Sequence, residues 1–449
     1  MSSATRRILV SVTGIVVIAV VAAAWILRGP DPMAFADGPM VKLADYHGPN
    51  PTGVPAALAE ASLVERGAYL ARAADCEACH TAQGGKPYAG GLGFKLPFGT
   101  LYSTNITPDK DTGIGNYTDQ DFLNAVHRGI REDGAGLYPA MPFASYSYMT
   151  DEDALAIKAY LFSLSPVHAE DPENTLKFPF NQRWAMGLWS AVFNRDTRFE
   201  PDTSKTPEWN RGAYLAEALA HCGECHTPRN LAFALDNRKK FAGAVTAGWR
   251  AYNVTSDKAT GISGWSDDDL VAYLAIGHAN GHGTASGPMG EAVDRSLNHL
   301  VPEDIRAVTA YLRTVPPITS PDLPASVAPP APASHKQGGG TQEARGKMVF
   351  EGACVSCHGW TGESSISPFA TITGAWAVND PSAVNVVQVV LHGTKRHTPP
   401  DAISMPAFGD AYSDTEIAAL ANYVTARFGN KPSHLTAQDV AELRQQASE

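Results

Sequence analysis

The stretch Cys76-Glu77-Ala78-Cys79-His80 decides how the rest of the chain is interpreted, because the same pattern returns twice. The other copies are Cys222-Gly-Glu-Cys225-His226 and Cys354-Val-Ser-Cys357-His358. Two thiols one helical turn apart can reach the two vinyl groups of one porphyrin as thioethers, and the next histidine then lies at the iron. The pattern therefore predicts three covalently bound haem c groups. The predicted proximal iron ligands are His80, His226 and His358.

Other uses of these cysteines fit less well. A zinc site would need two Cys-x-x-Cys pairs brought together and would not require a histidine after each pair. A thioredoxin-like redox pair needs a βαβ context, which the sequence does not offer. The three motifs consume all six cysteines, so none remains to build a disulfide scaffold.

Length and composition set wider bounds. A chain of 449 residues corresponds to about three domains. With 44% hydrophobic and 18% charged residues, the chain is neither disordered nor collagenous. The net charge of −11 argues against nucleic acid as a partner.

The sequence around the haem motifs repeats as well. Arg66-Gly-Ala-Tyr-Leu-Ala precedes the first motif, the same six residues begin at Arg211 before the second, and Arg345-Gly precedes the third. We expect a short helix at each of these places. Polar capping residues followed by apolar residues at i, i+3 and i+4 predict further helices. These are residues 122–128, 154–164, 270–276, 305–312 and 417–428. The predicted fold class is all-α, with three tandem cytochrome c domains.

The sixth iron ligand is predicted to be methionine, which is common in electron carriers. One methionine in each repeat precedes the last helix, 19, 22 and 18 residues before Tyr160, Tyr311 and Tyr423. These methionines are Met141, Met289 and Met405. Met149 competes with Met141, and any one methionine could simply fill the core. The alternative axial ligands are His127, His278 and His392.

The N-terminal segment predicts a membrane anchor. Residues 8–27 carry no charge, and twenty helical residues cover about 30 Å, the thickness of one hydrocarbon core. Arg6 and Arg7 place the N-terminus inside. The expected location is the inner membrane, with a single N-terminal transmembrane helix and the haem domains in the periplasm. The alternative is a cleaved signal peptide ending at Ala34-Phe35-Ala36.

Composition shifts divide the rest of the chain. Trp184, Trp189 and Phe193, between the first two repeats, could form a docking face or pack between the domains. The Pro-, Ala- and Gly-rich segment 318–342 predicts a semi-extended tether. A tail helix from Ala437, capped by Thr436, could dock or fray. The predicted divisions are 1–30 (cytoplasmic N-terminus and anchor), 31–60 (spacer), 61–168 (first domain), 169–205 (interdomain segment), 206–317 (second domain), 318–342 (linker), 343–430 (third domain) and 431–449 (tail).

The first two repeats resemble the three-haem cytochrome c subunits of bacterial membrane-bound alcohol, aldehyde, gluconate and sugar dehydrogenases. The resemblance rests on Leu137-Tyr-Pro-Ala-Met-Pro, Ala156-Ile-Lys-Ala-Tyr-Leu, Phe178-Pro-Phe-Asn-Gln-Arg-Trp and Gly287-Pro-Met-Gly-Glu-Ala-Val. It implies electron transfer from a catalytic subunit, which holds PQQ, FAD or a molybdenum cofactor, to ubiquinone or another carrier of the respiratory chain. The N-terminal span departs from many members of that family.

The function expected from these features is electron transfer with no catalytic site of the chain's own. One alternative is a haem enzyme, such as a peroxidase or a thiosulfate-oxidising cytochrome, which would need an open or cysteine-ligated iron. The other is a stand-alone relay to a terminal oxidase. A cofactor-bearing subunit that copurifies with the chain would distinguish the relay from the dehydrogenase subunit.

Overall fold

The computed structural model describes residues 21–320, 341–396 and 404–446, together with Thr5 and Thr13. Among these residues, none of the helices has the length and apolar character needed to cross a bilayer. Most of the predicted anchor, residues 8–12 and 14–20, lies outside the described residues. Residues 21–28 are helical, and Trp25 is 78% exposed.

Each repeat is built on two crossing helices, which we call its leading and closing helix. The leading helices are Leu63–Ala73, Pro207–Tyr214 and Thr341–Ala353, and the closing helices are Asp151–Ser163, Pro302–Leu312 and Asp414–Phe428. A glycine in each leading helix lies against the backbone of the closing helix. A Cβ on Gly67, Gly212 or Gly346 would overlap the carbonyl oxygen of Ala156, Ala307 or Ala419 respectively. The helices can cross this closely only because glycine has no side chain.

The predicted closing helices are confirmed, but their caps differ. Ser413 and Glu416 form the full capping box, in which each side chain accepts a hydrogen bond from the backbone N–H of the other residue. Thr150 caps only the backbone N–H of Asp153. Val301 precedes the second closing helix and supplies no side-chain cap, so the capping box expected there is wrong. Pro302 opens that helix instead, where its missing N–H costs nothing.

Further helices and turns carry the connecting segments. The remaining helices are Cys76–Cys79, Asp119–Leu123, Phe143–Tyr146, Ala185–Phe193, Gly223–His226, Asp267–Ile276, Gly287–Arg295, Val355–His358, Trp376–Asn379, Val384–His392 and Ala437–Gln446. Short π-helical segments lie at Asn124–Arg128 and Leu215–Leu219. Single 3-10 turns lie at Ala34–Ala36, Leu43–Asp45, Ala56–Leu58, Asn237–Lys239, Leu297–His299 and Pro368–Ala370.

The expectation of an all-α chain misses four antiparallel hairpins within the described residues. They pair Gly93–Leu96 with Gly99–Tyr102, Ala244–Thr246 with Trp249–Ala251, His278–Ala279 with Gly283–Thr284, and Thr394–Lys395 with Ser404–Met405. Strands of two to four residues are too short to show the alternating pattern by which strands are predicted. The fold is therefore largely helical with small antiparallel hairpins.

The apolar core has two parts in the described chain. One continuous cluster joins the first two repeats, from Leu70 to Leu312, and a second cluster belongs to the third repeat. The tail helix Ala437–Gln446 contributes fully buried Val440 to this second cluster. Arg444 of the tail also bonds Asp414 at 2.7 Å. The tail therefore docks on the third repeat.

The interdomain helix Ala185–Phe193 divides its aromatic residues between two environments. Trp189 packs edge-on against Phe143 of the first repeat and donates to the carbonyl of Ala232 in the second at 2.8 Å. Phe193 packs against Trp189. Trp184, by contrast, is 69% exposed. Trp189, with Phe193 packed against it, therefore lies between the repeats, whereas Trp184 does not.

Candidate haem sites

Each Cys-x-x-Cys-His motif lies on a short helical turn, and its histidine is fixed by a backbone carbonyl. The Nδ1 atoms of His80, His226 and His358 lie 2.7, 2.7 and 2.6 Å from carbonyl oxygens. The three carbonyls belong to Thr104, Tyr252 and Ala370. A carbonyl only accepts, so Nδ1 carries the proton and Nε2 keeps a lone pair that could bind a metal ion.

Burial keeps these groups in the form that haem requires. It lowers the pKa of His80, His226 and His358, although the hydrogen bond to the carbonyl opposes this. A neutral imidazole is the form that binds iron. Burial also raises the pKa of the Cys76 and Cys222 thiols to about 12, so both are protonated at neutral pH.

A buried donor in the second repeat fits a bound prosthetic group. The indole Nε1 of Trp265 is buried, and none of the described residues accepts its proton. The ring itself is 5% exposed and stacks on His282. A haem carries carboxylates that could accept such a bond, so the donor set and this orphaned donor fit haem c.

The predicted methionine ligands lie at the margins of the cores. Met141 precedes the helix Phe143–Tyr146, Met289 is in the first turn of Gly287–Arg295, and Met405 ends a short strand. All three are partly buried. Met149 is 1% exposed within the shared core. Its position is that of a core-filling side chain, which favours Met141.

The alternative histidine ligands have other environments. His127 is fully buried, with Nδ1 3.5 Å from the Asp151 carboxylate, and burial lowers its pKa to about 4. Both ring nitrogens of His278 bond side chains, those of Thr284 and Asn280. His392 ends the helix Val384–His392. A histidine that ligates iron needs one free ring nitrogen, so the bonds of His278 disfavour it.

The first two haem motifs face each other across the boundary between their repeats. Glu224, inside the second motif, accepts from Ser145 beside Met141 at 2.9 Å. Glu77, inside the first motif, accepts from Arg295 at 3.0 Å, on the helix that carries Met289. Each motif thus reaches the methionine-bearing segment of the other repeat.

A second reciprocal pair of contacts joins the leading helices to the closing helices of the opposite repeat. The Tyr69 hydroxyl donates to Asp304 at 2.6 Å, and the Tyr214 hydroxyl donates to Asp153 at 2.5 Å. Arg211 binds Asp304 through two nitrogens, at 2.8 and 2.7 Å. All of these side chains are largely buried. Sequence reasoning recognised the Arg-Gly-Ala-Tyr repeat but missed this exchange.

The third motif is joined to the second through aromatic and ionic contacts. Tyr252, whose carbonyl holds His226, packs edge-on against Trp376 of the third repeat at 5.3 Å. Arg396 binds the Asp294 carboxylate at 2.8 Å, and the two side chains are 2% and 7% exposed. The third repeat therefore contacts the second directly, and residues 321–340 of the predicted tether lie outside the described residues.

The comparisons with known proteins agree with this geometry. The cytochrome c family model matches residues 64–165, and the model of subunit III of cbb3-type cytochrome c oxidase matches residues 341–424. The fructose dehydrogenase cytochrome subunit of Gluconobacter japonicus is 39% identical, with 88% of this chain and 85% of the relative covered.

Two further relatives match over similar lengths. The gluconate 2-dehydrogenase cytochrome c subunit of Pantoea cypripedii is 38% identical over 85% of this chain and 90% of its own length. The cytochrome c subunit of the quinone alcohol dehydrogenase of Gluconacetobacter polyoxogenes is also 38% identical, with 86% and 85% covered.

Helix pairs that deliver Cys-x-x-Cys-His motifs define the chain as a c-type cytochrome with covalent haem c. Within that class, the chain belongs to the family of cytochrome c subunits of bacterial dehydrogenases. Members of this family transfer electrons and are not the catalytic subunits of their complexes. The resemblance seen in the sequence is thereby confirmed.

Proposed function

We propose that this chain carries three haem c groups and passes electrons from a catalytic dehydrogenase subunit to ubiquinone in the membrane. The supporting observation is that His80, His226 and His358 share one arrangement, with Nδ1 bound to a carbonyl and Nε2 left for iron. The three thioether pairs are Cys76 with Cys79, Cys222 with Cys225, and Cys354 with Cys357. The sixth ligands are Met141, Met289 and Met405, and the domains follow the divisions given above.

Haem c, when bound, supplies an iron that cycles between ferrous and ferric states, and the chain sets how easily it does so. The second repeat contacts the first through Ser145–Glu224 and the third through Tyr252–Trp376, which supports a central position for its haem. We therefore infer that electrons crossing the whole chain pass through the second haem.

Attachment to the inner membrane through residues 8–27, with the haem domains in the periplasm, belongs to this proposal. The apolar run and the two arginines before it support the anchor. The catalytic partner is proposed from the names of the relatives, which are subunits of fructose, gluconate and alcohol dehydrogenases.

Haem content and copurification test the proposal. A pyridine haemochrome assay should give three haems per chain, and affinity purification of the full chain from membranes should bring down a large subunit that bears PQQ, FAD or a molybdenum cofactor. One haem per chain would contradict it. Purification of the chain alone, with rapid reduction of a terminal oxidase, would favour the stand-alone relay.

Spectroscopy of two methionine variants tests the axial ligand of the first haem. Met141→Leu should convert this haem to a high-spin form and lower its potential, because a thioether ligand raises the potential. Met149→Leu is the matched control, since it conserves volume in the core and should leave the haem low-spin. A low-spin first haem in Met141→Leu would refute the assignment. Rapid cyanide binding by the unaltered chain would instead favour a haem enzyme.

A further inference from the structure

An exposed apolar surface lies beside residues 21–28, where the predicted membrane helix ends. We call it the apolar platform and define it by Phe178, Trp184, Leu188 and Leu231. These side chains are 78%, 69%, 64% and 94% exposed. Patches of large apolar side chains on a protein surface mark sites of contact with another protein or with a membrane.

The loop 230–233 connects the apolar platform to the end of the membrane segment. Asn230 donates to the carbonyl of Leu27 at 2.9 Å, and Arg238 donates to the carbonyl of Ile26 at 2.7 Å. On its other side, the carbonyl of Ala232 accepts from Trp189 of the interdomain helix. The platform is therefore held at a fixed position next to residues 26–27.

Charge around the apolar platform favours an anionic surface. Residues 177–195 contain Lys177, Arg183 and Arg195 but no aspartate or glutamate, although the whole chain carries −11. Arg195 pairs with Asp31 and the exposed Arg238 pairs with Asp236, so the positive charge of this surface comes mainly from Arg28, Lys177 and Arg183. Basic side chains beside an apolar face are the pattern by which protein surfaces bind anionic phospholipids.

We propose that the apolar platform lies in the headgroup–acyl boundary of the phospholipid bilayer that holds residues 8–27. A membrane helix that ends near Leu27 leaves the next residues at headgroup level, and the hydrogen bonds of Asn230 and Arg238 bring the platform to the same level. Trp184 then occupies the depth that tryptophan prefers. The inference rests on the proposed membrane anchor, and it assigns the exposed half of the interdomain helix to lipid.

Photo-crosslinking in native membranes tests the proposal with the full chain. p-Benzoylphenylalanine would replace Trp184 or, in a second variant, Leu231. Trp360 is the matched control position, since it is the same residue, 60% exposed, on the third repeat. Phospholipid adducts, identified by mass spectrometry, should form at positions 184 and 231. They should be absent at position 360. Crosslinks from 184 to another polypeptide, without lipid adducts, would overturn the proposal.

A pair of charge variants provides the second test. Trp184→Glu with Leu188→Glu should abolish the lipid adduct at position 231, whereas Trp360→Glu with Ile366→Glu should leave it unchanged. Haem content per chain is measured in every variant, and extraction with alkaline carbonate tests the anchor separately. If the unaltered chain carries three haems and resists carbonate extraction but forms no lipid adducts, the proposal for the apolar platform is refuted and the proposed function is not. Fewer haems in the unaltered chain, or release by carbonate, would refute the proposed function itself.

Discussion

The first two repeats and the third contain the same helix crossing but join the molecule in different ways. Tyr69 and Tyr214, at matching positions of two leading helices, exchange hydrogen bonds with Asp304 and Asp153 of the opposite repeat. The matching residue of the third leading helix is Met348, which is 64% exposed. The residue at this position therefore differs between the two repeats that share a core, which have tyrosine, and the repeat with its own core, which has methionine.

The third repeat is held through side chains at its surface. Arg396 binds Asp294, and Asn385 exchanges two hydrogen bonds with the backbone of Arg250. Trp376 adds aromatic contacts with Tyr252 and Trp265, but the buried cores of the second and third repeats are separate clusters, whereas the first two repeats share one. We therefore expect the third repeat to separate from the second before the first two separate from each other.

Removal of individual haems should have the largest effect on the stability of the repeats. Cys354→Ala with Cys357→Ala should lose one haem and leave the other two, since the third core is separate. Cys222→Ala with Cys225→Ala should lose its own haem and also loosen the first repeat, because a bound group stabilises only the folded form of the core it belongs to. Haemochrome assays and hydrogen exchange of residues 63–73 measure both results. Equal protection of residues 63–73 in the two variants would contradict the shared core.

The ion pair between the second and third repeats is the next test. Arg396→Met removes the guanidinium that pairs with the buried Asp294 carboxylate, which should cost about 3–5 kcal/mol. Native-state hydrogen exchange should show the loss in the third repeat and leave residues 63–73 protected. Arg396→Met combined with Asp294→Leu is the control, because it removes both charges and should recover part of the loss.

Two glycines of one helix test the close crossing. Gly346→Ala should destabilise the third repeat by about 1–3 kcal/mol, since the new Cβ would overlap the carbonyl of Ala419. Gly352→Ala is the matched control, because a Cβ there meets nothing within 4 Å. It should stabilise the helix by up to about 1 kcal/mol. Chemical denaturation measures both changes, and a similar result at the two positions would refute the packing argument.

Loss of a single reciprocal hydrogen bond should have the smallest effect. Tyr214→Phe removes the donor to Asp153, which keeps the backbone N–H of Gly53 as another donor. We expect a loss of about 1–2 kcal/mol, confined to the first two repeats. Met348→Leu, at the matching exposed position of the third repeat, should change stability by less than about 0.5 kcal/mol. An equal loss of stability in both variants would show that the Tyr214–Asp153 hydrogen bond does not stabilise the first two repeats.

Local patterns carried most of what could be predicted from the sequence. The three haem motifs and the closing helices follow from spacings of three to twelve residues, and hydrogen bonds within a helix act over the same distance. The start of the tail helix at Ala437, with Thr436 and Asp439 capping it, also follows from adjacent residues.

Contacts between repeats could not be predicted in this way. Tyr69 and Asp304 are 235 residues apart, and neither residue carries a local signal of its partner. Trp189 and Trp184 are five residues apart and indistinguishable by composition, yet one is packed between repeats and the other is exposed. The hairpins were missed because strands of two to four residues are too short to show an alternating pattern.

The reciprocal tyrosine–aspartate contacts also bear on how the chain is made. Synthesis proceeds from the N-terminus, so the first repeat is complete about 140 residues before Asp304 exists for Tyr69 to bind. Until then its leading helix has a polar group with no place to be buried. Tyr69 therefore reaches its buried, hydrogen-bonded position only after the closing helix of the second repeat has been made.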